Sequence, residues 1–377
     1  MVKKIICFIF LILFFCISTS FVFSSQIVRV AVFTDVSKIT LNINAPFTIE
    51  TVPEQEVLFK ALNLKDMNIS IYHEGFSLST KNFPFSRLEI KRNDKGPINV
   101  NGRFFRGALQ LIKKVDDKFS VVNFIDLEDY TRGVLYHEIS HLWPFETVKA
   151  QTVLVRTYAL SEMEVNKDKD FDLTSDTYSQ VYGGRTSERF RTNKAVENTK
   201  GQVLTFNGTI FPTYYHATCG GATEDASALW DIDIVPLKGV ACAFCKDSPH
   251  FKWSFEIKTK DLEEKLKEAG FKIGAIEKIE ILERSSSKRV LKLKISSGKE
   301  DIEISGKAFR EILGPRLLRS TNFNVQIQDQ KAFFNGFGWG HGVGLCQWGA
   351  YFMGKKGFSY RQILEYYYPH SKLSKIK

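Results

Sequence analysis

A chain of 377 residues with 44% hydrophobic and 13% aromatic residues has enough apolar side chains for one large core or two modest ones, which excludes an extended disordered chain. The formal net charge of +10, or +8 without Lys3 and Lys4, suits an anionic partner such as a bacterial wall. The basic residues are scattered and form no continuous arm, which argues against nucleic acid as that partner.

Lys3 and Lys4 precede an apolar run over residues 5–17 and a Ser-rich stretch ending at Ser25, the layout of a secretory signal. Residues 1–25 are therefore read as an export signal, either cleaved near Ser25 or kept as a membrane anchor. Cys16 follows two phenylalanines, where a lipoprotein signal carries small residues. Residues 26–123 read as short alternating strands at 28–33, 47–51, 69–72, 88–91 and 107–112. Around Leu127 the period changes, and Pro144 opens a helical pattern through Val148, Ala150, Val153, Leu154, Thr157 and Leu160.

Residues 252–335 read as an inserted small α/β lobe. Helices are expected at 261–269 and 306–313, and strands at 276–282 and 290–295. A Gly- and Trp-rich stretch at 336–350 and an aromatic helix at 360–368 close the chain. The expected class is α+β: a β-rich N-terminal part (26–123), a core with a central helical layer (124–251) completed by 336–377, and the lobe between them.

His216-x-x-Cys219 and Cys242-x-x-Cys245, with 22 residues between Cys219 and Cys242, have the spacing of two zinc knuckles, one imidazole and three thiolates closing a structural site. His250 is the other candidate nitrogen ligand. A disulfide from Cys219 to Cys242 or Cys245 fits an exported protein equally well. Cys346 is expected to pack as a small buried side chain.

The stretch 127–160, LEDYTRGVLYHEISHLWPFETVKAQTVLVRTYAL, resembles the SpoIID/LytB family. The likeness continues with Thr177, Gln180, Tyr182 and Gly183, with TKGQVL at 199–204, with Gly220, Gly221 and Trp230, and with GWGHGVGLCQWGA at 338–350. The resemblance implies a lytic transglycosylase that cuts peptidoglycan glycan strands, preferably denuded of stem peptides, to anhydromuramoyl ends. The family's catalytic glutamate maps onto Glu138, although the family's Pro-Ser-Glu-Met turn reads Tyr136-His137-Glu138-Ile139 here.

By its own chemistry, Glu138 beside Ile139, Leu142 and Trp143 has a partly apolar setting that would hold a proton at neutral pH. Ordinary glycosidases need a second carboxylate, but attack by the sugar's own six-position hydroxyl removes that need. The plainer role is a helix-end carboxylate paired with His137, His141 or Arg132. Gln180, Tyr182, His341 and Gln347 are the expected sugar contacts, with core hydrogen bonding as their alternative. Because the LytB branch is associated with stimulating a wall amidase, a wall-binding activator is the rival function. A zinc amidase would need an open metal position, which a four-ligand site lacks.

Overall fold

The structure is a computed structural model that describes residues 26–79, 81–298 and 300–376. The stretch read as an export signal lies outside them. Among the described residues no helix is long and apolar enough to cross a membrane.

Two sheets form the N-terminal part. Ile27–Val36 pairs with Phe119–Asp126, and the sheet continues through Ala108–Lys113, Arg87–Arg92, Phe47–Thr51 and Val57–Ala61, with Leu173–Thr174 at its other edge. The second runs Arg103–Phe105, Ile98–Val100, Lys38–Ile43, Leu64–Tyr72, Gly75–Leu78 and Lys81–Phe83. Strict alternation in Lys38–Ile43 turns Ile39, Leu41 and Ile43 inward, and Phe47 and Ile49 do the same across from them. Both sheets fill one core. The strand expected to begin at Gly107 begins at Ala108, because Gly107 has φ +77° and a Cβ there would lie 2.1 Å from the Phe124 carbonyl oxygen.

Helix α1 (Leu127–Glu138) follows, capped by the Asp126 side chain, which accepts from the Glu128 amide at 2.9 Å. Helix α2 (Phe145–Val165) is capped by Pro144, one residue earlier than a Pro inside the helix would sit. Its apolar residues are buried on opposite sides: Val155, Tyr158 and Ala159 face the β-rich core, while Ala150, Val153 and Leu154 face a second core built with the C-terminal segment. A helix apolar around its circumference must be sandwiched this way. Helix α3 (Phe190–Asn198) leads to Gln202–Phe206, which pairs antiparallel with Lys372–Lys375.

Between these, Lys252–Lys258 pairs in register with Lys331–Phe337, so the intervening chain leaves and re-enters at one place. It contains helix α4 (Thr259–Glu268), helix α5 (Gly306–Leu313) and a sheet of Lys278–Arg284, Val290–Ser296 and Asp301–Ser305 around a core that includes Leu262, Leu293, Phe309 and Phe334. Helix α6 (Gln347–Lys355) was not legible in the Gly- and Trp-rich stretch. Cys346 caps it by accepting from the Gly349 amide. Helix α7 (Tyr360–Tyr367) opens on a capping box of Ser359 and Gln362. The class is α+β.

One buried ion pair fixes α1 against α2. Arg156 is wholly inaccessible and forks onto Glu128, at 2.9 Å from Nε and 2.7 Å from Nη2, while its Nη1 donates to the Gln202 carbonyl at 2.8 Å. Glu128 also accepts from the Gly201 amide at 2.9 Å. Removing one partner would strand the other's charge, so Arg156→Met is expected to cost ~3–5 kcal/mol in urea denaturation. The double variant Glu128→Gln/Arg156→Met should recover much of it; a single-variant loss below about 1 kcal/mol would disprove the pair's structural role.

Candidate active site

Tyr130, Val134 and Glu138 form one row along α1, spaced four residues apart and turned toward the interior. The helix ends at Glu138 because Ile139 is extended at φ −143° and ψ 156°. The last side chain of the row therefore projects into open space rather than into the core.

That space is a cleft of about 430 Å³ lined by Glu138, Tyr158, Gln180, Tyr214, Trp230 and Trp339 among others. Tyr214 stacks on Trp230 at 4.5 Å, and Trp230 leans on His341 at 5.3 Å. Tyr178 stands at the mouth, 91% exposed. Flat aromatic faces with a few polar groups between them suit an amphipathic ring such as a sugar. Among the residues lining the cleft, Glu138 is the only carboxylate.

The carboxylate is held by a chain of hydrogen bonds. Its Oε1 accepts from the Val181 amide at 3.1 Å, and the Tyr215 hydroxyl donates to it. Tyr215 in turn accepts from Gln180 Nε2 at 3.1 Å, and Gln180 Oε1 accepts from the Tyr130 hydroxyl at 3.0 Å. Every donor in this series has one use, so the Tyr215 proton points at Glu138. Burial pushes the Glu138 pKa up to about 7, against the smaller opposing pull of Val181 and Tyr215. The group holds a proton near neutrality and can also carry a charge there.

The helix-end pairings open to Glu138 do not form. Arg132 binds Asp129 and Glu197, the His137 Nε2 meets the Ser187 hydroxyl at 2.5 Å, and His141 lies against the Tyr136 ring.

Gln180, His341 and Gln347 line the same cleft as Glu138. Gln347 donates from Nε2 to the Glu138 backbone oxygen at 3.1 Å. His341 accepts the Val343 amide on Nδ1 at 3.1 Å, so its Nε2 proton goes to the Tyr215 carbonyl at 3.0 Å. Burial pushes its pKa down to about 4, and the ring stays neutral with both nitrogens engaged. It offers the cleft a surface and fixes the strand carrying Tyr215.

Tyr182 corrects the expectation of a sugar contact. It is 1% exposed, stacks on Tyr130 at 5.2 Å and donates to Asn123 Oδ1 at 2.8 Å. Gln180 and Tyr182 are both buried, but only Gln180 reaches the cleft wall.

The metal-ligand expectation is also corrected in one member. Cys219, Cys242 and Cys245 come together, but the fourth group is Cys346, and the four sulfurs lie within 4.8 Å of one another. His216 instead lines the cleft and engages the Val343 carbonyl through Nδ1 at 3.1 Å, and His250 packs on Trp339 at 4.8 Å. Parallel pairing of His216 with Cys346 sets His216 on the neighbouring strand, and its ring turns toward His341 at 5.6 Å rather than toward the thiols.

All four cysteines are unbridged and buried, with Cys219 and Cys245 sulfurs 3.4 Å apart. Four thiolates around one zinc stand about 3.8 Å from each other, so this spacing fits such an ion. The surroundings suit the excess negative charge of a tetrathiolate: the Cys219 and Gly349 amides donate to Cys346 Sγ at 3.2 and 3.3 Å, and the buried Arg289 guanidinium binds the Cys219 carbonyl at 2.7 Å.

Sequence reasoning missed Tyr215, Tyr214, Tyr130 and Val181. Tyr214 and Tyr215 precede His216 in a short polar-aromatic run, and that run was the available signal. Val181 acts through its backbone, which leaves no trace in residue type.

Comparison with known proteins places this geometry. The family described as Stage II sporulation protein (SpoIID) matches residues 115–206, which include Glu138, Tyr130 and Gln180, and a domain of unknown function (DUF8618) matches residues 243–344. The chain is 32% identical over 365 residues to an uncharacterized protein of Brachyspira hyodysenteriae, covering 92% of this chain and 93% of that one. It is 29% identical over 325 residues to the Stage II sporulation protein D of Bacillus subtilis, covering 82% and 88%. It is 28% identical over 291 residues to the amidase enhancer of Bacillus subtilis, covering 64% of this chain and only 40% of that protein. With the family's model covering α1 and the cleft residues from Glu138 to Val181, and a relative alike across almost the whole of both chains, this protein belongs to the SpoIID family.

Proposed function

We propose that this protein is a lytic transglycosylase that cleaves peptidoglycan glycan strands, preferably those denuded of stem peptides, with Glu138 as its one acid and base. The observation that carries this reading is a lone carboxylate with a pKa near 7 on the floor of an aromatic-walled cleft. Protonated Glu138 gives its proton to the glycosidic oxygen as the bond from muramyl C1 breaks, releasing the glucosamine hydroxyl. The muramyl six-position hydroxyl then bonds to C1 and returns its proton to Glu138. The products are an anhydromuramoyl end and a free sugar end, no water is consumed, and no second carboxylate is required. Tyr215 and the Val181 amide stabilise the transient carboxylate, and burial keeps the Tyr215 hydroxyl protonated, well above its ordinary pKa.

The net charge of +10, or +8 without Lys3 and Lys4, favours approach to an anionic wall. Such a substrate lies outside the cytoplasmic membrane, so the reading includes export, with residues 1–25 as signal or anchor. The wall process served includes sporulation as a candidate because of the relatives' names. A second reading follows from the Bacillus subtilis relative named amidase enhancer: the cleft would grip glycan without cutting it, and the partner would be a wall amidase. In either case the four thiolates are inferred to hold one structural zinc, which closes its coordination sphere and leaves no position for a reacting water.

Glu138→Gln keeps shape and loses the transferable proton. Mass spectrometry of peptide-free glycan strands should show anhydro-ended products from the wild type and a loss of at least ~10³-fold in the variant. Products from neither protein, with binding intact, would favour the amidase-enhancer reading, and products from both would overturn the role of Glu138.

The pH dependence has a fixed sign. The folded state binds its Glu138 proton up to a pKa of about 7, against 4.5 for an ordinary glutamate, so folding takes up a proton between these values. That stability is complete below about 4.5 and is lost as pH rises through about 7. Cleavage should therefore fall above pH ~7, and Glu138→Gln should have a higher Tm than wild type at pH 8, with an upper gain of about 3 kcal/mol that vanishes near pH 4.5. Equal Tm at pH 8 would count against a desolvated carboxylate.

For the metal, analysis of protein purified without chelator should find about one zinc per chain. Cys346→Ser should reduce that content and lower the unfolding midpoint, whereas His216→Ala should leave zinc content unchanged. Absence of zinc together with a mapped disulfide would disprove the site.

A further inference from the structure

The cleft does not end at the walls around Glu138. A second hollow of about 340 Å³ shares Thr177, Tyr178, Trp230, Gly340 and His341 with the first, so the two form one continuous groove. The far wall of the second hollow comes from the inserted segment: Lys307, Arg310 and Glu311 on α5, and Thr321.

That wall is cationic and its charges are largely uncommitted. Lys307 is exposed and has no ion pair among the described residues. Arg310 spends Nε on the Leu318 carbonyl at 3.0 Å, which fixes the side chain and leaves its terminal nitrogens for another acceptor. Arg319 lies 4.9 Å over the ring of Trp339, which lines the first hollow. Glu311 is the one acidic group among the residues that line the second hollow. A half-buried, pre-positioned guanidinium beside an exposed ammonium suits a carboxylate.

We propose that the inserted lobe supplies the groove with an anionic subsite, in which Lys307 and Arg310 bind the free lactyl carboxylate of a muramyl residue in a peptide-stripped strand. This rests on the glycan reading of the cleft. The chemistry gives the subsite its selectivity. In a strand that keeps its stem peptide the same carbonyl carbon is an amide, which carries no charge and brings a bulky chain with it. Stripping the peptide restores a carboxylate. A cationic wall along the groove therefore favours the denuded strand by charge, separately from anything Glu138 does.

The test uses full-length protein carrying Glu138→Gln, so that binding is read without cleavage. Two probes are compared: denuded glycan strands, and the same strands with their lactyl carboxylates converted to primary amides. The free-acid strand should bind at least ten-fold more tightly, with the difference shrinking as salt is raised. Lys307→Glu and, separately, Arg310→Gln should abolish the preference while leaving affinity for the amidated strand within about two-fold. Lys307 is exposed on the helix surface, so its variant tests the proposal even if replacement of Arg310 disturbs folding. Equal binding of the two strands, or a preference unaffected by Lys307→Glu, overturns the subsite alone and leaves the cleavage reading intact. Failure to bind either strand removes both.

Discussion

The bidentate pair between Glu128 and Arg156 is the constraint on which the site depends. It sits where α1, α2 and the strand Gln202–Phe206 converge, and its remaining hydrogen bonds go to the backbone at Gly201 and Gln202. A pair so enclosed contributes little net stability compared with apolar packing, yet it permits only one mutual placement of the two helices. Fixing α1 fixes where its last turn ends, and so where Glu138 projects. The Leu-Glu-Asp-Tyr signature thus reads as structural: Leu127 fills the core, Glu128 meets Arg156, Asp129 meets Arg132, and Tyr130 begins the hydrogen-bond series that reaches the carboxylate.

In the proposed reaction, two demands on Glu138 oppose each other. A proton must stay on it near neutrality, which calls for burial, and its anion must be tolerated in passing, which calls for donors. The Val181 amide and Tyr215 hydroxyl provide the second without cancelling the first, because neither carries a formal charge. An arginine or lysine in their place would drive the pKa down and remove the acid. The turn residues Tyr136, His137 and Ile139, which differ from the family's usual ones, do not supply these donors, so the hydrogen bonds around the carboxylate do not depend on them.

Much of this was legible in the chain. Periodicity located α2, α4, α5 and α7 and five strands of the N-terminal sheets, since each buries a regular apolar face. Helix α6 escaped because Gly349 and Gly354 lower helix propensity, and its position is set by packing against α2 and α7. Spacing brought Cys219, Cys242 and Cys245 together but named the wrong fourth member, since Cys346 is separated from them by the whole inserted segment and only strand pairing brings it close. Tyr182 was misjudged for a related reason: a motif residue two positions from Gln180 looks equivalent in sequence, yet one side chain ends in the cleft and the other in the core.

The pairing of Gln202–Phe206 with Lys372–Lys375 has a temporal side. The cleft draws its floor from α1, its walls from residues near 214 and 230, and its rim from 339–341, while the core beneath needs α6 and α7. Contacts this far apart in sequence form late. A growing chain would hold Glu138 in an unfinished cleft until the segment that carries Trp339, His341 and Gln347 arrives. The setting that raises the Glu138 pKa is thereby tied to the arrival of Trp339, His341 and Gln347, and a chain that stops before them carries the glutamate without that environment.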